Sequence, residues 1–236
     1  IVDLDLGLAN IDVVLGITAK LTLREVLRGQ CAMEEAIVEG PHGLRLVCGG
    51  SGIAELANLD QDHREELIEA LSVVDQTSDI VLLDVGAGIS STVLDFVAAA
   101  GETLVLTTTE PTAMTDAYAL IKVVSRYARG TQFNLVVNQM RDVKEAQEVA
   151  LTMTGVAQRF LNVEWNTIGF LPYDDKLPAA VKRRTPILLA YPGSRFATGI
   201  EQLAGRLVAR PAATAQAERP PTSFARFLRR LSGRAV

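Results

Sequence analysis

Acidic and amide side chains stand at the ends of three apolar segments of this sequence, where they could act on a bound ligand. They are Asp3, Asp5, Asp84 and Asn138. If the apolar segments are parallel strands, their carboxyl ends meet at one edge of the sheet, and ligands bind there. Clustered carboxylates suit a hydrated Mg²⁺ ion, which prefers oxygen ligands and bridges nucleotide phosphates. Each Asp taken singly is equally compatible with a helix N-cap, because strand-to-helix loops favour Asp for capping alone.

Alternating strands and helices are needed to position these side chains. Short β-branched or Leu-rich segments predict strands over residues 1–2, 44–47, 80–83, 103–107, 133–137 and 167–171. Apolar spacing of three and four residues predicts helices over residues 64–74, 90–100, 112–128, 143–160 and 195–208. The alternation predicts an α/β fold, with a doubly wound, mostly parallel sheet that is buried on both faces by helices.

The composition limits the classes of protein that fit. The 236 residues, 48% of them apolar and 22% charged, fit one large globular domain. A net charge of −5 argues against direct nucleic-acid binding, because affinity for phosphates irrespective of sequence needs a basic surface. Two cysteines without CxxC spacing and two histidines are too few for a zinc site or a disulfide framework. No apolar run approaches the roughly 20 residues that span a bilayer, so we expect a cytoplasmic protein.

The C-terminal end of the sequence differs in composition from the rest. Residues 1–208 are expected to form the main domain, residues 209–222 a flexible linker rich in Ala and Pro, and residues 223–236 a helix. At 100° per residue one side of that helix is apolar, through Phe224, Phe227, Leu228 and Leu231. The opposite side is basic, through Arg226, Arg229 and Arg230. This pattern is typical of a helix lying on the cytoplasmic membrane, and a helix docked on its own domain or on a partner is the alternative.

Several segments also resemble a known family, the MinD/ParA-type P-loop ATPases. Residues 2–12 are similar to the deviant Walker segment of MinD-type proteins, and residues 84–90 to their Walker B region. Four further segments resemble the FlhG/FleN flagellar regulators more closely than septum-site MinD, namely residues 49–53, 109–118, 137–139 and 169–174. The resemblance extends over about residues 1–200 and implies ATP and Mg²⁺ as cofactors.

The resemblance also implies roles for individual residues. Asp5 would position or activate the water that attacks ATP, and Asp3 and Asp84 would act around Mg²⁺. The adenine base would be contacted by Asn138, Pro172 and Tyr173. A loop that moves with the nucleotide state would contain Asn10 and Asp12.

One part of the family's pattern does not occur in the sequence. The Gly-rich loop with two lysines, which holds the phosphates, would precede Ile1, and the glycines of residues 49–52 lack the Lys-Ser/Thr that would have to follow. We therefore expect the sequence as printed to bind ATP poorly. It is interpreted as an N-terminally truncated ATPase, which would hydrolyse ATP once the loop is restored; a degenerate relative that binds no nucleotide is the alternative.

The function implied by the resemblance is a switch that controls the number or placement of flagella. It would form a homodimer with ATP, contact the membrane through its C-terminal helix, and bind a flagellar transcriptional regulator and a flagellar-assembly GTPase. A septum-site MinD or a ParA-type partitioning ATPase is the alternative within the family. A non-enzymatic scaffold of the same fold is the alternative from another class.

Overall fold

The described residues group into two compact units. The computed structural model describes residues 1–5, 9–50, 61–100, 102–127, 131–161, 163 and 165–209. One unit is formed by Ile1–Ala100, and the other begins at residue 101. Each unit has its own sheet. Whether residues 1–208 behave as one domain stays a prediction.

The first unit contains a four-stranded sheet with the order β2-β3-β1-β4. Its strands are β1 (Val2–Asp3), β2 (Ile37–Glu39), β3 (Arg45–Val47) and β4 (Leu83–Asp84). The central strand β1 pairs in parallel with both β3 and β4, whereas β2 pairs with β3 antiparallel. Five helices and a 3₁₀ turn at Pro41–Gly43 accompany this sheet: α1 (Ile11–Leu15), α2 (Leu23–Leu27), α3 (Met33–Ala36), α4 (Gln61–Gln76) and α5 (Ser91–Ala100).

The second unit contains a parallel three-stranded sheet with the order β5-β6-β7. Its strands are β5 (Glu102–Thr107), β6 (Gln132–Met140) and β7 (Trp165–Pro172). The helices are α6 (Pro111–Tyr127), α7 (Val143–Leu161), α8 (Lys176–Lys182), α9 (Ile187–Ala190) and α10 (Arg195–Val208). None of the described helices of either unit is long and apolar enough to cross a membrane.

Local sequence explains where these elements begin and how they pack. Thr22 and Glu25 form a capping box at the start of α2, and the hydroxyl of Ser194 accepts the amide of Ala197 at the start of α10. In α7 the buried residues recur at spacings of three and four, so one face of that helix enters the core: Ala146, Val149, Ala150, Met153 and Ala157.

Each sheet contributes to an apolar core. In the first unit the cluster includes Val2, Leu4, Leu23, Leu27, Met33, Val47, Leu67, Leu71, Val74 and Phe96. In the second unit it includes Val136, Ile168, Leu171, Ala180, Ile187 and Phe196. The strands that carry the polar side chains of interest are therefore anchored by apolar neighbours, through the buried Val2 on β1 and Val136 on β6 and the partly buried Leu83 on β4.

The parallel α/β fold is confirmed, but two strands differ from the prediction. Residues 133–137 of β6 are buried throughout, as expected for a strand covered on both faces. In β5, by contrast, Leu104 and Leu106 are 37% and 57% exposed while Val105 and Thr107 are buried, so within the described residues only one face of this strand is covered. The sequence predicts a strand over residues 80–83, but β4 contains only Leu83 and Asp84. These two residues pair with Val2 and Asp3 of β1. The antiparallel strand β2 was not predicted.

Candidate functional site

Asp3 is a buried carboxylate that organises the loop after β1. It is 1% exposed. One of its oxygens accepts the backbone N–H of Asp5 at 3.1 Å, and the other accepts those of Asn10 and Ile11 at 3.1 and 3.3 Å. Burial raises the pKa of Asp3 and the charge of Asp5 adds to this, while the three amide donors oppose the rise. Asp3 thus joins the end of β1 to the first turn of α1.

Asp5 lies directly against the loop that follows β4. A Cβ atom built on Gly86 would be 3.1 Å from Cγ and Oδ1 of Asp5 and 3.4 Å from Oδ2. Only glycine leaves the room that the carboxylate occupies in this arrangement. Gly86 was not identified as a site residue from the sequence, and its place in a strand-to-helix loop next to Asp84 is the signal that could have indicated it.

Asp84 completes this group of carboxylates. It pairs with Asp3 in the register of the adjacent parallel strands β1 and β4, and its carbonyl accepts the amide of Leu4 at 2.7 Å. Partial burial of the carboxyl group, followed by the charges of Asp3 and Asp5, raises the pKa of Asp84, although the residue as a whole is exposed. The three carboxylates predicted from the sequence therefore meet at the end of β1 and β4, where their mutual repulsion favours a cation.

Asn10 and Asp12, which were predicted to lie in a loop, follow this group in the chain; the structure places Asn10 at the N-cap of α1 and Asp12 in the first turn of that helix. Asn10 is exposed and precedes α1, and its backbone amide, not its side chain, binds Asp3. Asp12 accepts the amide of Val13 at 2.8 Å. Burial, together with the charges of Asp12 and Asp3, raises the pKa of the Cys48 thiol to about 11, so this cysteine stays protonated at neutral pH. The structure brings Asn10 to the carboxylates through its backbone and Asp12 to the neighbouring thiol.

Gly49, at the end of β3, packs against the same loop. A Cβ atom there would be 2.8 Å from the carbonyl oxygen of Asp3 and 3.0 Å from Cβ of Ala9. The next residue, Gly50, has φ +79°, and a Cβ atom on it would be 2.6 Å from the hydroxyl of Thr22. Gly49 therefore allows the end of β3 to approach the loop after β1, and Gly50 allows it to approach the start of α2, roles that the sequence alone did not indicate.

The chemistry of these side chains fits Mg²⁺ in the way that nucleotide-binding proteins hold it. Within the described residues, no group of three or more His, Cys, Asp or Glu side chains is arranged to hold a metal ion by itself. Mg²⁺ usually keeps several waters and needs only one or two carboxylates together with substrate phosphates. Asp84, which is exposed, and Asp3, which already accepts three amides, suit contact through such waters.

In the second unit, Asn138 lies at a β-bulge near the end of β6. The register runs from Val137 opposite Phe170 to Met140 opposite Pro172, so β6 contains one residue more than β7 over this interval. Gln139 has φ +56°, and its amide donates to Oδ1 of Asn138 at 2.8 Å. A bulge of this kind re-aims side chains and is common beside functional sites.

Pro172 and Tyr173, the other predicted base contacts, lie at the same end of the sheet. The amide of Tyr173 donates to the carbonyl of Met140 at 2.8 Å, which joins the ends of β6 and β7. The guanidinium carbon of Arg141 lies 4.3 Å from the centre of the Tyr173 ring. Arg141 was not identified from the sequence.

Asp174 anchors this segment from the other side. Its carboxylate accepts the amides of Lys176 at 2.9 Å and Phe196 at 3.3 Å, at the starts of α8 and α10. These backbone hydrogen bonds lower the pKa of Asp174.

The predicted membrane helix, with its apolar and basic side chains, lies outside the described residues, because residues 210–236 are not among them.

Comparisons with known proteins identify several relatives of this chain, among them two flagellar proteins. No protein-family model matches the sequence. The antiactivator FleN of Pseudomonas aeruginosa is 36% identical over 207 residues, which cover 88% of this chain and 74% of FleN. The flagellum site-determining protein YlxH of Helicobacter pylori is 30% identical over an alignment that covers 97% of this chain and 77% of YlxH.

Solved structures give the same fold. The cell division ATPase MinD of Pyrococcus furiosus has a TM-score of 0.71 at 22% identity, covering 88% of this chain and 84% of that protein. MinD of Pyrococcus horikoshii, solved with Mg-ADP, also has a TM-score of 0.71, at 21% identity, covering 92% and 85% of the two chains. Because FleN and YlxH are at least 30% identical and aligned over most of their own length, the chain belongs to the MinD/ParA family of ATPases, in the FleN/FlhG branch.

Proposed function

We propose that this protein is an ATP-dependent switch that regulates the number or placement of flagella. The observation that carries the proposal is the meeting of Asp3, Asp5 and Asp84 at the ends of the adjacent parallel strands β1 and β4. FleN and YlxH, whose names refer to antiactivation and to flagellar site determination, support the biological role. MinD structures, one of them with Mg-ADP, support the use of nucleotide and Mg²⁺.

Each carboxylate would have its own role in phosphoryl transfer, a reaction that depends mostly on positioning the reactants and on neutralising the charge of the phosphates. Asp5, held beside Gly86, would orient the attacking water. Asp3 would hold the loop that carries Asp5, through its three backbone amides, and would act with Asp84 near the metal. Mg²⁺, when bound, supplies positive charge against the phosphate oxygens. Asn10 and Asp12, at the start of α1, would belong to a segment whose position reports the state of the nucleotide.

The adenine base would be contacted by Asn138, Pro172 and Tyr173. Asn138 can both donate and accept hydrogen bonds through its amide, as recognition of a purine edge requires. The bulge at Gln139 and the hydrogen bond from Tyr173 to Met140 hold Asn138, Pro172 and Tyr173 in fixed backbone positions. This rigidity supports a binding role, since a pre-organised contact loses little entropy when the ligand arrives.

We propose that ATP binding causes the protein to form a homodimer and to bind the membrane. With ATP the protein would form a homodimer, and two copies of the helix at residues 223–236 would hold a cytoplasmic protein at the membrane more strongly than one. A flagellar transcriptional regulator and a flagellar-assembly GTPase are the proposed partners. We expect no direct contact with nucleic acid, given the net charge of −5.

Substitution of Asp5 tests this proposal. In the full-length protein, Asp5→Ala should keep ATP binding but reduce turnover by a factor of 10² or more, as expected when a residue acts mainly in the transition state. ATP-bound dimer should then accumulate, which light scattering would detect. The control is Asp79→Ala, which removes an exposed carboxylate of the same unit. Unchanged turnover in Asp5→Ala would remove Asp5 from the reaction, and absence of ATP binding in the unmodified protein would support a nucleotide-free scaffold instead.

A further inference from the structure

The bulge in β6 determines which residue lies opposite Tyr173. Met140 pairs with Pro172, so the following residues, Arg141 and Tyr173, are brought to the same level. Without the additional residue in β6, Gln139 would pair with Pro172 and Met140 would lie beside Tyr173. Gln139 has a positive φ of +56°, which is an unfavourable backbone conformation for a residue with a side chain. This register therefore requires a strained residue in the bulge.

The resulting contact is the closest of its kind in the described residues. The guanidinium carbon of Arg141 is 4.3 Å from the centre of the Tyr173 ring, whereas the three other cation–aromatic pairs measure between 5.5 and 5.8 Å. At 4.3 Å a planar guanidinium lies on the face of the ring. Arg141 therefore covers one face of Tyr173, and a base could not stack on that face without displacing it.

The backbone of Tyr173 is held by the hydrogen bond from its amide to Met140, and the neighbouring Asp174 accepts the amides of Lys176 and Phe196. Arg141 is exposed, so a ligand can reach it from solvent. An exposed arginine held flat loses less conformational entropy on binding than one that moves freely.

We propose that Arg141 is a further nucleotide-binding residue, whose guanidinium, held against Tyr173, stacks on the base of the bound nucleotide. The inference rests on the proposed function, which places the adenine at this end of β6 and β7. It changes the role of Tyr173 from a direct stacking surface to the support beneath Arg141. The contact concerns the base and not the phosphates, and this difference makes the inference testable.

The test measures the affinity of the full-length protein for two ligands, ATP and inorganic tripolyphosphate, each in the presence of Mg²⁺. Arg141→Ala should weaken ATP binding about tenfold and leave tripolyphosphate binding unchanged, because only ATP carries a base. Arg141→Lys should weaken ATP binding to a similar extent, since an ammonium group keeps the charge but has no plane to stack.

Two further variants separate this contact from a general effect of charge. Arg183→Ala removes an arginine that lies 5.5 Å from the ring of Tyr191 and should leave the affinity for both ligands unchanged. Tyr173→Leu should weaken ATP binding, and combining it with Arg141→Ala should add little, because both changes remove the same contact.

Several results would overturn the inference. Equal losses for ATP and tripolyphosphate would mean that Arg141 contacts phosphate, and full ATP affinity in Arg141→Lys would mean that charge alone matters. Unchanged ATP affinity in Arg141→Ala would exclude any contact. If the unmodified protein binds ATP in these experiments, the proposed function survives each of these outcomes. If it binds neither ligand, the proposed function fails and the inference fails with it.

Discussion

Replacing Gly86 by alanine should slow ATP hydrolysis without destabilising the protein. Gly86 does not adopt a left-handed backbone conformation, so alanine can take its place without backbone strain. The added methyl group would be 3.1 Å from Cγ and Oδ1 of Asp5. The side chain of Asp5 is only partly buried, so it has room to move away from the added methyl group.

The size of the effect follows from that distance. Carbon atoms in ordinary contact are about 3.5–4.0 Å apart, so the carboxylate must withdraw by roughly 0.5 Å. A displacement of about 1 Å can cost a factor of 10² in rate, and half of that displacement suggests a loss of about tenfold in kcat. The free energy of unfolding should change little, because alanine lowers the entropy of the unfolded chain by an equivalent of about 0.4–1 kcal/mol, which offsets the small cost of the contact.

The assay combines steady-state ATP turnover, ATP affinity and urea unfolding on the Gly86→Ala protein. The control is Gly155→Ala on α7, where a methyl group meets nothing within 4 Å. That variant should be more stable by about 1 kcal/mol and fully active. Unchanged turnover in Gly86→Ala would refute the idea that the position of Asp5 beside Gly86 controls the reaction. A joint loss of stability, ATP binding and turnover would refute the expectation that only the carboxylate moves.

Two further predictions concern the C-terminal helix and the start of α2. Phe227→Glu should abolish binding to vesicles that contain anionic lipid, because it places a charge in the apolar stripe; persistent sedimentation with vesicles would indicate another membrane-binding surface. Burial alone would raise the pKa of Glu25, but hydrogen bonds from Thr22 and Arg24 lower it to about 2. Since this pKa is depressed on folding, the stabilisation is present above about pH 4.5 and is lost towards pH 2. Glu25→Gln should therefore cost about 1 kcal/mol at pH 7 and much less at pH 3, and an equal cost at both pH values in urea unfolding would contradict this.

Elements with a strong local pattern were predicted well. Residues 195–208 were predicted as a helix and form α10 with the same limits, and α7 was predicted to within one residue. The apolar residues of these two helices recur at helical spacing, and their ends carry good capping residues. The local sequence therefore predicts both the type of element and its limits. The short elements between α1 and β3 were not predicted, because helices of four or five residues and a three-residue edge strand have too few periods to detect.

The carboxylate group was also accessible from the sequence. Asp3 and Asp84 end strands that run parallel, and parallel topology brings such ends together whatever the loops do. The detailed environment of each carboxylate was not accessible. Asp3 accepts hydrogen bonds from three backbone amides, and Asp5 lies against Gly86. Both arrangements depend on how two separate loops fold back on β1.

By itself the sequence determined the parallel α/β fold, the family, and the residue types that stand at the strand ends. These properties follow from apolar periodicity and from short motifs, which are local in the chain. Only the tertiary structure decided the partners of those residues, including the register that places Arg141 on Tyr173. A bulge of one residue leaves no trace in periodicity, and a contact between distant loops depends on packing distances of a few tenths of an ångström.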